Sequence, residues 1–270
     1  MRDRRKIFDS IMAKVDRDID GQNRSIEYLQ NEIKKGKAWD ITYFRYYCEM
    51  GQFKMLKNQI DEARQWFKQG ISYYIRDIKS MKELPEGLIK DINIPYFGYF
   101  GGGLTAAVQC AELALTAREK WNVKGSDINC HRRDLLLLAF LIDDKNRIDR
   151  YSNAIKETSK GTEIQPDGMP VSNGIKAFCN IFAIATTTII ESINNKSKSD
   201  FERGLDIWSK IKIPNIYKHS HPWDIFDMEL TVLYDIALGV GLNPKISTPF
   251  IPKAIIDNGY WNLKKPTLEP

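Results

Sequence analysis

Most patterns that announce a specific chemistry are missing from this chain. Its four cysteines, Cys48, Cys110, Cys130 and Cys179, are widely spaced and form no CxxC pair, which excludes a disulfide framework and points to free thiols in a reducing compartment. Cys130 and His131 are adjacent, so in most backbones their side chains point apart and do not make a nucleophile–base pair. No GxSxG elbow is present. The run Gly101–Gly103 is not followed by GK[ST], so it is not a phosphate-binding P-loop. Histidine is scarce as well. His219 and His221 stand near Asp224, but no third cysteine or histidine lies at ligand spacing and His131 is remote, so no metal is assigned. No uninterrupted apolar run reaches the roughly 20 residues of a membrane span, and MRDRRKIFDSIM has no apolar signal-peptide region. These absences set the expectations: a cytoplasmic protein, no enzyme, no cofactor and no membrane association.

The chain does have the means to build a core. Hydrophobic residues make up 43% of it and charged residues 28%, ordinary values for a globular protein. The net charge is +5, with bases such as Arg2, Arg4, Arg5, Lys34, Lys35 and Lys37 in short early runs. Asp3, Asp16, Asp18 and Asp20 interleave with them, so a solvated helical face is favoured over a nucleic-acid groove.

Helical periodicity dominates. Residues 5–35 place Ile7, Ile11, Val15, Ile26, Leu29 and Ile33 at helical intervals, predicting one helix or two with a break near Gly21 and a stop at Lys34-Lys35-Gly36. Tyr43, Phe44, Tyr46 and Tyr47 lie on a second helix starting at Asp40. The clearest stripe is Leu56, Ile60, Ala63, Phe67, Ile71, Tyr74 and Ile78, predicting a helix over 54–79. Gly98 and Gly101–Gly103 precede an almost wholly apolar helix at 104–118, where glycine allows close packing. A second central helix is predicted at 175–193 despite three consecutive threonines. LLLLAFLID, Arg147–Lys160 and 201–211, with Leu205 and Trp208 facing in, supply further helices. The fold class is therefore all-α, a multi-helix bundle or irregular solenoid. The chain is a single domain over 1–270, with 161–174 as a possible internal boundary. No fixed repeat period with signature residues is found.

The stretch Trp223–Pro252 carries the most information. Phe226, Leu230, Leu233, Ala237 and Val240 stack on one helical face. Asp224, Asp227, Thr231 and Asp235 stack on another, with Gly239 and Gly241 as the stop. Asp224, Asp227, Glu229 and Asp235 fall in a window without lysine or arginine. Asp224 and Asp227 suit the first turn, whereas Asp235 lies at the end where the helix dipole disfavours acid. A docking face for a basic partner accounts for this, and these four residues are the expected partner-binding site.

The segment DMELTVLYDIALGVGL, its glycine-bounded turn and STPFIPKAIID resemble the ending of bacterial polymorphic-toxin immunity proteins. The segment is similar to the all-helical immunity protein 49 family, which ends in a similar helix, Gly-Leu and a Ser-x-Tyr-Leu-Pro-like segment. Ser247, Pro249, Phe250, Ile251 and Pro252 occupy that place here, with the aromatic and proline displaced. The opening also resembles helical immunity proteins against PoNe-type DNase toxins. The resemblance covers about the last fifty residues. It implies a cytoplasmic protein that binds a cognate secreted toxin stoichiometrically and blocks it, without catalytic residues. The alternative is a tetratricopeptide-like scaffold holding a peptide or regulatory partner in an aromatic-rich groove of residues 39–100.

Overall fold

Short helical hairpins recur through the molecule, and the turns that make them share one geometry. The computed structural model describes residues 4–36, 43–80, 91–119, 128–162, 175–219, 226–246 and 248–261. Among the described residues there are ten helices and no strand, so the fold is all-α. In chain order they are α1 (Arg4–Lys34), α2 (Phe44–Leu56), α3 (Ile60–Ser80), α4 (Asn93–Glu119) and α5 (Ile128–Leu141). Next come α6 (Lys145–Thr158), α7 (Ile175–Asn194), α8 (Lys198–His219), α9 (Met228–Gly239) and α10 (Lys253–Asn258).

The pairs α2/α3, α5/α6 and α7/α8 are each joined by three residues, and the middle one is left-handed: Asn58 (φ 61°), Asp143 (φ 55°) and Lys196 (φ 53°). In each turn the middle N–H donates to the carbonyl three residues back, and the next N–H to the carbonyl five back. The three pairs of bonds are Asn58 to Met55 with Gln59 to Lys54, Asp143 to Phe140 with Asp144 to Ala139, and Lys196 to Ile193 with Ser197 to Ser192. These bonds satisfy the last carbonyls of one helix and reverse the chain into the next. The turn at Asn58 divides the helix predicted over 54–79. The apolar stripe runs unbroken through it in sequence, but Ala63, Phe67, Ile71, Tyr74 and Ile78 are buried on α3 alone.

The first helix runs through Gly21 without a break and stops at Gly36, which has φ 82°. Gln22 ties it to α2 by donating to Tyr46 O and Glu49 Oε2. Its apolar positions form two small clusters, Ile11 and Val15 with Phe53, and Ile26 with Tyr47 and Met50. The main core instead draws on α2 through α10, including buried residues on both sides of the 161–174 stretch. Most of that stretch lies outside the described residues.

The glycines precede the predicted 104–118 helix as expected, but the helical segment begins earlier, at Asn93, and is bent at Gly103 (φ 70°, ψ −164°). A left-handed φ with that ψ is open essentially only to glycine. A Cβ at Gly101 would stand 2.6 Å from the Phe67 carbonyl oxygen, so that glycine lets α4 rest on the α3 backbone. Phe67 then stacks with Phe97 and meets Phe100 at 5.2 Å.

The threonine run in α7 is helical because Thr186, Thr187 and Thr188 each donate to the carbonyl four residues back, which satisfies their hydroxyls within the helix. Over Ala177–Asn194 this helix is long and apolar enough to cross a membrane by length and composition. That differs from the sequence expectation. In the fold, 67% of the window is buried, as befits the central helix that packs on both α5 and α8.

Candidate functional site

The expected docking face lies on α9, and the structure turns most of it inward. Asp227 is the helix N-cap. Its extended backbone (φ −92°, ψ 102°) lets a carboxylate oxygen accept from Leu230 N–H at 3.0 Å, the usual reward of an acid at this position. The same carboxylate accepts from Trp208 Nε1 at 2.7 Å and pairs with Lys212 Nζ at 2.5 Å. It is 3% exposed. Burial alone would push this carboxyl up, but Lys212 and the Leu230 and Trp208 N–H groups outweigh burial and hold it below its ordinary value.

Asp235 is also inside the protein, at 1% exposure. It accepts from Tyr99 Oη at 2.8 Å and from Tyr260 N–H at 2.7 Å. No cation pairs with it among the described residues, so burial dominates and its carboxyl is raised. Its unfavourable place near the helix C-terminus is thus explained by two donors from α4 and the C-terminal segment, and not by a partner. Glu229 pairs with Arg133 Nη2 of α5. Asp224 lies outside the described residues. In place of an exposed acidic face, Asp227 and Glu229 are ion-paired within the protein and Asp235 is buried on neutral donors.

Arg133 is the hub of an ionic network around Glu229, and sequence reasoning missed it. It donates to Asp134 Oδ1 and Thr186 Oγ1, each at 3.1 Å. Its guanidinium lies over the Phe182 ring at 4.0 Å and the Trp208 ring at 5.0 Å. Asp134 in turn takes Arg118 of α4 at 2.6 Å. One signal was available: the acids of 224–235 have no basic neighbour in sequence, so inside a fold their cations or hydrogen-bond donors must come from other elements.

Of the aromatic residues expected to line a groove over 39–100, Tyr43, Tyr46, Trp66 and Tyr73 are partly exposed and others are enclosed. Phe44, Tyr47, Phe67, Tyr74, Tyr96, Phe97, Tyr99 and Phe100 are buried in the core, with Phe44 against Tyr74 at 4.9 Å. Among the described residues no group of three or more His, Cys, Asp or Glu is arranged to hold a metal ion. His221 lies outside the described residues. Burial, reinforced by the Cys179 thiol, pushes Cys130 up to about 12, and burial does the same to Cys110. Both thiols are protonated at neutral pH and poor nucleophiles.

A second polar feature opens to solvent where α4 ends beside α5 and α6. It is a cavity of about 520 Å³ lined by Glu119, His131, Arg132, Arg147, Arg150 and Tyr151, with apolar neighbours. Arg147 grips Glu119 through two bonds of 2.9 and 3.0 Å, and Tyr151 donates its hydroxyl to the same carboxylate. Those bonds hold the Glu119 carboxyl below its ordinary value. Burial, then the positive charge of Arg118, keeps His131 below its usual value and therefore neutral at pH 7.

No family model, curated protein or solved structure matches the chain.

Proposed function

We propose that this chain is an immunity protein that binds a cognate secreted bacterial toxin stoichiometrically in the cytoplasm and blocks it by occlusion. The supporting observation is where the residues of the resemblance lie. Leu230, Leu233, Asp235, Leu242, Phe250 and Ile251 are all buried, and the Asp227 N–H donates to the Phe250 carbonyl at 3.0 Å. Residues at such positions determine how the chain ends fold, so a likeness carried by them is a likeness of frame. The step from frame to function is an analogy with the immunity families. A rigid all-helical body suits occlusion, because a pre-shaped surface loses little entropy on binding. In this reading the chain carries out no reaction and takes no cofactor, and toxin contacts come from exposed residues and not from the internal acids.

Co-expression tests the reading. Cells producing the toxin encoded beside this gene should survive when the chain is present. Failure to rescue cells from every adjacent toxin candidate would remove the proposal. The scaffold alternative draws on a different observation, the three hairpins with identical turns, and predicts a regulator operon and not a toxin gene as the genomic neighbour.

A further inference from the structure

The cavity between α4, α5 and α6 has a charge balance that its own side chains do not close. Arg147 is neutralised by Glu119 and by Asp144, whose Oδ2 it meets at 2.6 Å. Arg118 and Arg133 are committed to Asp134 and Glu229. Arg132 has only neutral partners: Asn129 Oδ1, the Ala154 carbonyl and Thr158 Oγ1, all reached through Nη1 at 3.1 to 3.3 Å. Those bonds fix its guanidinium while leaving Nε and Nη2 without a protein acceptor among the described residues. Arg150 is exposed and rests 5.4 Å from the Tyr151 ring. Neither Arg132 nor Arg150 has a carboxylate within ion-pair distance among the described residues.

The sequence sets this up simply. Arg147, Arg150, Tyr151 and Ala154 recur at helical spacing on one face of α6, opposite His131, Arg132 and Leu135 of α5. We propose that this cavity is an anion site for a small phosphate monoester, gripped by the guanidiniums of Arg132 and Arg150. Arg147 holds two carboxylates, so Arg132 and Arg150 leave the site one net positive charge, which attracts an anion, and the guanidinium fork fits phosphate oxygens in pairs. The cavity is several times larger than a carboxylate group needs, leaving room for the esterified remainder. The site stands apart from the immunity reading, and neither depends on the other.

The test is calorimetric titration of the full chain with inorganic phosphate, glycerol phosphate and succinate at matched ionic strength. Saturable binding of the two phosphates, with succinate clearly weaker, is expected. Arg150→Glu should weaken glycerol phosphate by about tenfold or more, the worth of one charge-assisted contact. Because Arg150 is exposed, the variant should keep the wild-type melting curve. Arg132→Lys, which keeps the charge and loses the fork, should fall between the two. Arg203→Glu, at an exposed arginine on α8, should bind as wild type. Absence of saturable binding, equal affinity for succinate, or equal weakening in the Arg150 and Arg203 variants would each overturn the site.

Discussion

The two ends of the described chain are attached in opposite ways. The N-terminal helix α1 is long, at 31 residues, yet it reaches the body mainly through α2 and two small apolar clusters. The C-terminal stretch 226–261 is of similar length, and its Phe250, Ile255 and Tyr260 lie in the main core. Polar contacts reinforce the difference. Tyr260 donates its N–H to Asp235 and its hydroxyl to the Phe100 carbonyl, and Arg64 of α3 stacks over the Tyr260 and Trp261 rings. On α1 the ties are the two bonds of Gln22 to α2 and exposed pairs such as Asp16–Lys57, the latter contributing little each. Helix length therefore says little about how firmly a segment is held. What matters is how much of its surface is enclosed.

The same substitution made at each end probes that difference. Ile255→Ala, at 0% exposure in the main core, should cost about 4 kcal/mol, because its surroundings cannot collapse into the space. Urea unfolding would show this as a lower midpoint with an unchanged slope. Asp227→Ala should cost about 3 kcal/mol, since it removes a helix cap and leaves Lys212 and the Trp208 N–H without their acceptor. Ile11→Ala on α1, though equally well buried at 1%, should cost only about 2 kcal/mol, because a small peripheral cluster can close around the gap. Equal losses at Ile11 and Ile255 would abolish the contrast.

The smallest effect concerns pH. Asp227 and Glu119 are depressed, so the stability they contribute is present above the ordinary carboxylate pKa and is lost as pH falls through their folded values. Asp235 is raised and acts in the other direction. On acidification the native state takes up its proton before the unfolded chain does, which adds stability just above the ordinary aspartate value of about 4. Denaturant midpoints across this range should show a shallow rise and then a fall. Asp235→Asn should lessen the rise, leaving the share of Glu49, which burial also raises, and Asp227→Asn should lessen the fall.

Much of the fold could be read from the sequence, because a helix with one dry face displays its period directly. The stop at Gly36, the helix at 175–194 and the inward Leu205 and Trp208 follow from spacing alone. The split at Asn58 does not, because the stripe from Leu56 to Ile78 keeps its phase across the turn. Only the left-handed residue interrupts the helix, and asparagine is a weaker signal for that than glycine. The site was legible in part. Spacing put Asp227, Thr231 and Asp235 on one face of α9, but the docking surface expected there is met by the protein's own groups, with Asp227 and Asp235 buried. Arg133, Tyr99 and Lys212, far away in sequence or in a different helix, supply those groups. A face without local counter-charges reads the same whether it meets a partner protein or the protein's own interior.

The carboxylate of Asp227 serves a helix end, an indole and an ammonium group at once, so its position cannot drift by itself. A descendant of this chain that loses the acid must also give up the cation at 212 and the indole donor at 208. Divergence should therefore show these three sites changing as a set, while the solvent-facing residues around them vary one at a time.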